Sequence, residues 1–252
     1  MTAILQKTIP YDAFAPRRLP GIAPLDSSDW LIRDEAFAGQ MALRDELVAT
    51  RRDAVIALDA AAEPAAQELL DTALTHAYAG AAERVTRPDG ATVPIDRADP
   101  MGTLARLVQE DLCILEKRGG EHMLTAAALC FPASWSLAEK FRRPLTTIHD
   151  PVADYDPNIA ARVQRLFDGI QPGRPLWRFN ALWYDDPALH QPRGERDGRD
   201  PVDSATAPFF RSERQCLMRL PQTRAVVFSI HTYVLTRADA LALEQTSQPS
   251  SP

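Results

Sequence analysis

The spacing of apolar residues changes midway along the chain, from a helical period to a strand-like one. Before residue 120, leucine and alanine recur every three or four positions in three stretches, which predicts three helices. They cover residues 34–58, a stretch that starts at Pro64 and stops near Gly80, and residues 99–117. Proline suits the first turn of a helix, where its missing N–H is not needed. The first half of the chain therefore indicates a helical layer.

After residue 120 the apolar runs are shorter, and many alternate with polar residues, as β-strands do. Strands are predicted over residues 122–131, 176–184, 211–220 and 225–234, with a helix over 157–170 and a hairpin within 84–97. The segment from Pro221 to Arg224 is short enough to join the last two strands as an antiparallel hairpin. We expect an α+β fold, an antiparallel sheet with helices on one side.

The chain divides by composition into three parts. Residues 1–120 are interpreted as an N-terminal arm and helical layer, 121–235 as the core, and 236–252 as a C-terminal helix and disordered tail. The first two parts are expected to form one compact unit. Residues 1–30 hold aromatic side chains that seek burial, so they predict an arm laid over the body. The long charged segment 185–210 predicts either a flap over a pocket or a solvated insertion.

Residues 131–155 combine three prolines, a tryptophan and a histidine with one short helical piece. Ser134 or Ser136 is placed to cap a turn over 137–141, and Pro144 is expected to end it. The chain is then predicted to continue as an extended segment that holds His149. This histidine either faces a cavity or is partly buried and hydrogen-bonded to the backbone.

Strand alternation sorts the polar residues of the last strands by face. Arg214 falls on the same face as the apolar Cys216, where an arginine needs an anionic partner. Ser229, His231 and Tyr233 share one face of the final strand. These rows indicate either a solvated outer face or an apolar pocket with a few convergent polar groups.

Composition and the absence of several sequence motifs argue against a number of functional classes. The 45% hydrophobic and 25% charged content is ordinary for a globular protein, and the net charge of −6 argues against general nucleic-acid binding. No apolar run is long enough to span a bilayer, and the N-terminus lacks a secretory pattern. Three widely spaced cysteines without a CxxC pair favour a reducing cytoplasm and argue against a structural zinc or iron–sulfur site. The sequence has no P-loop, GxGxxG, HExxH or Ser-His-Asp motif.

Three long segments carry a family resemblance: FPASWSLAEKFRRPLTTIHDPVADY, RLFDGIQPGRPLWRFNALWYDDPAL and FRSERQCLMRLPQTRAVVFSIHTYV. In their order and spacing they resemble the haem-dependent oxidative N-demethylase family, which includes the haem subunit of dimethylamine monooxygenase. The resemblance covers about residues 10–235. It implies a PAS-like fold that binds haem b. It also implies a monooxygenase that removes a methyl group from a small secondary amine such as dimethylamine and releases formaldehyde.

The resemblance further implies a partner, because the chain shows neither a flavin nor a cluster motif. Electrons would come from NADPH through a separate reductase that carries FMN and a 2Fe–2S cluster. The other partners would be the amine and O2, in the cytoplasm, with no nucleic acid and no membrane. Two alternatives stay open: a haem-based gas or redox sensor without turnover, and a structural or interaction protein that has lost haem.

The resemblance implies cofactor roles for six residues, one of them only as a substitute. His149 becomes the axial ligand of the haem iron, because a neutral imidazole is a good iron ligand. Arg214 would bind a haem propionate, with Arg211 or Arg224 as substitutes. Trp135, Arg224 and His231 are further cofactor-binding candidates. His231 stands where the family pattern leads us to expect arginine, so it is also a second candidate for the iron ligand.

The resemblance also points to the residues that would handle the amine. A small cation favours a carboxylate or an aromatic face. Tyr184 and Glu213 are therefore the predicted catalytic residues, with Asp185 as a further candidate.

Overall fold

The computed structural model of the protein describes residues 3–15, 21–149, 157–194, 197 and 201–247. The strands are β1 Ala23–Pro24, β2 Ile56–Leu58, β3 Arg84–Thr86, β4 Thr92–Pro94, β5 Asp111–Arg118, β6 Glu121–Ala128, β7 Leu176–Tyr184, β8 Phe209–Arg219 and β9 Val226–Thr236. The helices are α1 Phe37–Thr50, α2 Arg52–Val55, α3 Glu63–Tyr78, α4 Pro100–Ala105, α5 Leu137–Lys140, α6 Leu145–His149, α7 Pro157–Gly169 and α8 Arg237–Ser247. This content confirms the predicted α+β class.

One antiparallel sheet organises the described residues, with strand order β1-β7-β8-β9-β5-β6-β2. β8 and β9 form the longest pairing, from Phe209 opposite Thr236 to Arg219 opposite Val226. The hairpin between them was predicted, and the Leu220 N–H closes it by donating to the carbonyl of Ala225. β3 and β4 form the separate predicted hairpin.

Helices cover both faces of the sheet, so the expectation of helices on one side is wrong. Ile114 of β5 and Val227 of β9 pack in a cluster with Leu70 of α3, on what we call the arm face. Their chain neighbours Leu115 and Val226 pack with α5, α6 and α7 on the opposite side, the pocket face. Adjacent residues of a strand point to opposite faces, and here both faces are buried.

The N-terminal segment lies along the arm face, as predicted. The backbone N–H of Gln6 donates to the carbonyl of Val234, and Tyr11 stacks on Phe179 with 4.7 Å between ring centroids. Trp30 is buried, and its indole N–H donates to the hydroxyl of Ser229 over 3.0 Å. The polar groups of this face therefore bind the arm and are not solvated.

Two predicted helices are too long. The stretch 34–58 divides into α1, α2 and the strand β2, and the stretch 99–117 divides into α4 and β5. β5 is a central strand with apolar residues on both sides, including Leu112 and Leu115. Such a strand has a continuous apolar run that periodicity alone does not separate from a helix.

The sheet crosses residue 120, since β5 on one side of it pairs with both β6 and β9. The division into parts 1–120 and 121–235 stays a prediction. The C-terminal helix is present as α8, and the predicted tail after residue 247 lies outside the described residues. None of the helices in the described ranges has the length and apolar character that crossing a membrane requires.

A buried ion pair between Arg44 of α1 and Asp111 of β5 joins the helical layer to the sheet. The Arg44 Nη1 atom lies 2.8 Å from Asp111 Oδ1, and both side chains are almost fully buried. Arg44 also donates to the carbonyls of Ala105, Gln109 and Glu110. Its donors therefore bind the whole connection from α4 to β5.

Breaking this pair should destabilise the protein strongly. We expect Arg44→Met to lower the free energy of unfolding by about 3–5 kcal/mol, because it leaves the Asp111 carboxylate buried without its cation. Urea unfolding followed by circular dichroism measures the change. Arg97→Met is the control, because Arg97 pairs with Asp71 at the exposed surface and should cost about 1 kcal/mol or less. Equal losses in the two variants would contradict this account.

Candidate functional site

The stretch from Phe131 to His149 forms two short helices across the pocket face. Ser136 precedes α5, and its hydroxyl donates to Glu139 over 2.9 Å in place of a backbone cap. Pro144 lies at the start of α6, since its carbonyl accepts from the N–H of Ile148. The predicted extended conformation at Ile148 and His149 is therefore wrong, because both belong to α6. The side chain of His149 and residues 150–156 lie outside the described part of the chain.

The first part of this stretch is held at both sides of Phe131. Its backbone N–H donates to Asp111 over 2.8 Å, and its carbonyl accepts from Arg211 over 2.7 Å. Three residues later, the N–H of Ser134 donates to the carbonyl of Gln191. Ser134 has a φ of 68°, a left-handed conformation that residues other than glycine seldom adopt. Such conformations concentrate at binding sites, where the surrounding structure imposes them.

A cavity of about 170 Å³ opens between this stretch and strands β7 and β8. Its lining comes from both sides: Ala133, Ser134, Asn180, Leu182, Tyr184, Arg211 and Glu213. Among the described residues, Leu182 is the one large apolar side chain that is exposed, at 52%. Most of the other lining residues carry polar groups, which can fix the orientation of a small ligand.

The two carboxylate oxygens of Glu213 have different partners in this cavity. Oε2 accepts from the side-chain amides of Asn180, over 3.1 Å, and Gln215, over 3.3 Å. Oε1 lies 3.5 Å from the Nε atom of Arg211, an ion-pair contact without a hydrogen bond in the described structure. One oxygen is thus fixed by two amides, and the other keeps capacity to accept a hydrogen bond.

Arg211 joins three pieces of chain around the cavity. Its Nη atoms donate to the carbonyls of Phe131 and Leu189, and its guanidinium lies 5.9 Å from the ring centroid of Tyr184. Its Nε atom is buried and has no hydrogen-bond acceptor among the residues that the structure describes. The same holds for Oγ1 of Thr232, which lies opposite Glu213 in the β8–β9 register. Glu110 Oε2 and Tyr233 Oη, on the arm face, likewise lack a partner among the described residues, so what distinguishes the Arg211 donor is its place beside the cavity.

Residues 188–191 of the long segment between β7 and β8 contact two residues of the cavity wall, Arg211 and Ser134. His190 is half-buried, and its Nδ1 atom lies 2.8 Å from the carbonyl oxygen of Cys130. Because a carbonyl only accepts, Nδ1 carries the proton. Gln191 donates its N–H to the carbonyl of Pro132. This part of the segment is therefore fixed to the stretch after β6.

Arg214 lies on the arm face, on the opposite side of the sheet from the cavity. Its guanidinium donates to the carbonyl of Asp29 over 2.7 Å and to that of Trp30 over 3.3 Å. It also lies over the ring of Trp177, 5.6 Å from the centroid. In this arrangement Arg214 holds the N-terminal segment on the sheet.

His231 is opposite Arg214 in the register and lies between two carboxylates. Its Nδ1 lies 3.0 Å from Glu110 and its Nε2 lies 3.1 Å from Asp34. Burial alone would lower the pKa of His231, but these two hydrogen bonds outweigh it and raise the pKa to about 9. Burial would raise the pKa of Asp34, yet the bond to His231 lowers it to about 2. The ring is a protonated imidazolium with both nitrogens engaged, which speaks against a role as an iron ligand.

The structure thus separates the predicted site residues. Tyr184 and Glu213 lie together in the cavity, whereas Arg214 and His231 lie together on the other face. Arg224 is exposed in the turn after β8, at the far end of that strand from Glu213. Trp135 packs half-buried in the cluster on the pocket face. Asp185 is exposed next to Tyr184.

Sequence reasoning missed Asn180 and Ser134, which join Glu213 in the cavity. Asn180 lies opposite Glu213 in the β7–β8 register, so a correct strand pairing would have indicated it. Ser134 was considered only as a helix cap. No local signal marks its left-handed backbone.

The protein thus has an α+β fold with a small cavity lined by polar side chains at one face of its sheet. The family model for haem-dependent oxidative N-demethylase, alpha subunit-like, matches residues 21–248. This match covers most of the chain, including the stretch across the pocket face and all strands of the cavity. The chain belongs to this haem-dependent oxidative N-demethylase alpha subunit-like family, which confirms the resemblance. The family's name describes an oxidoreductase that depends on haem.

The charged cluster at His231 predicts a loss of stability at alkaline pH. The folded pKa of about 9 exceeds the ordinary value near 6.5, so the stabilisation is complete below pH 6.5 and is lost as the pH rises through 9. We expect the free energy of unfolding to fall by roughly 3 kcal/mol between pH 6 and pH 10. Urea titrations across this range measure it. His231→Gln should lack this fall, and an equal fall in the variant would contradict the assignment.

Proposed function

We propose that the protein is a haem-dependent monooxygenase that removes a methyl group from a small amine such as dimethylamine. The observation that carries the proposal is the cavity around Glu213, which combines an oriented carboxylate, the Tyr184 ring and the apolar Leu182. A carboxylate and an aromatic ring suit a small cation. The family match supplies the haem dependence and the reaction type.

The pocket face has residues of the chemical types that haem binding requires. Haem needs an apolar surface, an axial ligand and cations for its propionates. Trp135 and Phe228 are half-buried apolar residues on this face, and Arg211 is a buried cation with a donor that lacks an acceptor. His149 ends the helix that crosses the same face, and we propose it as the axial ligand.

The cavity itself suits the amine better than the macrocycle, because its volume is about 170 Å³. We therefore propose that the haem lies outside this cavity, on the pocket face and beside His149 at the end of the stretch. Arg211 is the propionate-binding candidate on this face, since Arg214 is occupied by backbone carbonyls on the other. When bound, the haem would reduce and split O2, so that one oxygen atom enters a methyl C–H bond and the other leaves as water.

Glu213 would bind the substrate through its Oε1 atom. A protonated secondary amine has N–H donors, and a bond to a carboxylate is charge-assisted and therefore strong. Asn180 and Gln215 would keep the carboxylate in place through Oε2. Tyr184 and Leu182 would face the methyl groups. The N-hydroxymethyl product then divides into the demethylated amine and formaldehyde.

The two electrons for each turnover must come from outside the chain. We propose that they come from NADPH through a separate reductase subunit with FMN and a 2Fe–2S cluster. The words "alpha subunit" in the family's name agree with a protein of several subunits. PAS-like strand topology, haem b as the cofactor and a cytoplasmic location belong to the same proposal.

Formaldehyde release tests this function. Haem-loaded protein with NADPH, a compatible reductase and dimethylamine should produce formaldehyde and methylamine in equal amounts. Glu213→Gln should lower kcat/KM for dimethylamine by roughly tenfold or more, because it removes a hydrogen bond to a charged group. Haem-loaded wild type that consumes NADPH without releasing formaldehyde from any methylamine would overturn the proposal.

Two controls make this test specific. Glu83→Gln makes the same chemical change at an exposed carboxylate away from the cavity and should leave kcat/KM unchanged. Tetramethylammonium carries the same charge as dimethylammonium but has no N–H donor, so it should neither react nor inhibit at the same concentration. If tetramethylammonium inhibited the reaction as strongly as trimethylamine does, this result would contradict the role of Glu213 Oε1.

A further inference from the structure

Asn180 of β7 lines the cavity and lies directly opposite Glu213 in the β7–β8 register. The atom of its amide group that lies 3.1 Å from Glu213 Oε2 is the nitrogen Nδ2, because a carboxylate only accepts hydrogen bonds. This bond therefore assigns the two ends of the amide group. The carbonyl oxygen Oδ1 is the end that is not bound to the carboxylate.

The Oδ1 atom of Asn180 is an acceptor that a ligand can reach. It accepts no hydrogen bond from the residues that the structure describes, and Asn180 is only half-buried in the cavity wall. Opposite residues of an antiparallel pair have Cβ atoms about 4.5–5.5 Å apart. Asn180 and Glu213 thus bring two acceptor groups together at the cavity, the Oδ1 and Oε1 atoms.

Two neighbouring acceptors suit a cation with two N–H donors. The N–H bonds of a secondary ammonium ion point to two corners of a tetrahedron, so acceptors about 2.8 Å from the nitrogen stand roughly 4.5 Å apart. A tertiary ammonium ion has one N–H and can bind only one of the two acceptors. A site that binds a substrate N–H discriminates against an analogue without it, because the acceptor then stays unpaired.

Charge alone provides little selection at this site, because Arg211 offsets part of the charge of Glu213. The Nε atom of Arg211 lies 3.5 Å from Glu213 Oε1. An ammonium ion in the cavity is therefore attracted by the carboxylate and repelled by the guanidinium at short range. All methylated ammonium ions carry the same charge, so the number of N–H bonds that they can make decides which of them is held.

We propose that Asn180 is a specificity-determining residue, which makes the site prefer amines with at least two N–H groups, such as secondary amines, over tertiary amines. Its Nδ2 atom orients Glu213, and its Oδ1 atom accepts from the second N–H of the substrate. This inference rests on the proposed function, in which the cavity around Glu213 binds the ammonium ion of the substrate.

The test compares the binding of ethylmethylammonium and trimethylammonium to haem-loaded wild type, Asn180→Leu and Gln215→Met. The two ions have the same charge and the same number of non-hydrogen atoms, but ethylmethylammonium has two N–H groups and trimethylammonium has one. Isothermal titration calorimetry measures the dissociation constants. Wild type should bind ethylmethylammonium about tenfold more tightly, because it makes one more charge-assisted bond. Asn180→Leu should lose this preference.

Gln215→Met is the matched control for the support of Glu213. Gln215 also donates to Glu213 Oε2, over 3.3 Å, and its replacement leaves Asn180 Oδ1 in place. This variant should weaken the binding of both ions by similar factors and keep their ratio. If Gln215→Met loses the ratio as completely as Asn180→Leu does, the preference comes from the position of Glu213 and the inference is wrong.

The remaining outcomes are also decisive. If Asn180→Leu keeps the wild-type ratio, or if wild type binds both ions equally, Oδ1 does not select the substrate. If Asn180→Leu does not fold, Asn180→Ala removes the same oxygen atom and answers the same question. Wild-type protein that binds neither ion would overturn the proposed function itself, which is a different failure.

Discussion

The stretch that covers the pocket face is held by two buried arginines, and the rest of the site depends on this constraint. Arg44 fixes Asp111, whose carboxylate accepts the backbone N–H groups of Cys130 and Phe131. Arg211 fixes the stretch on the other side, since it donates to the carbonyl of Phe131 and to that of Leu189. These bonds fix the direction in which the chain leaves β6, and this direction places Ser134 in the wall of the cavity. Removing either guanidinium would leave buried acceptors unpaired, which is why the arrangement is held firmly.

The sheet separates two kinds of polar chemistry by the simple alternation of its side chains. On the arm face, Arg214 and His231 bind the N-terminal segment, and their hydrogen bonds are used within the protein. On the pocket face, Glu213 and Arg211 lie beside a cavity, and the Nε donor of Arg211 has no hydrogen-bond acceptor among the described atoms. Residues only one position apart along β8 thus differ in role. The arm-face residues hold the N-terminal segment on the sheet, whereas the pocket-face residues lie beside the cavity, where a ligand can reach them.

Much of the fold follows from local patterns in the sequence. Alternation placed Arg214 with Cys216 and His231 with Ser229, and both assignments are confirmed. The failure at 99–117 has a physical cause, because a strand buried on both faces has no alternation to detect. The site was harder to predict. Asp34 and His231 are 197 residues apart, and the long connection between β7 and β8 does not determine which residue faces Glu213. Alternation defines two faces, but it does not tell which one is left open for a ligand.

The central claim is that haem binds on the pocket face with His149 as its ligand, and one measurement tests it most directly. Absorption spectra of protein produced with ample haem should be recorded in the oxidised, reduced and carbon monoxide-bound forms, for wild type, His149→Ala and His231→Ala. The account predicts a Soret band that moves on reduction in wild type, is lost or displaced in His149→Ala, and is retained in folded His231→Ala. A haem spectrum that is unchanged in His149→Ala but lost in folded His231→Ala would contradict it and transfer the ligand to the arm face.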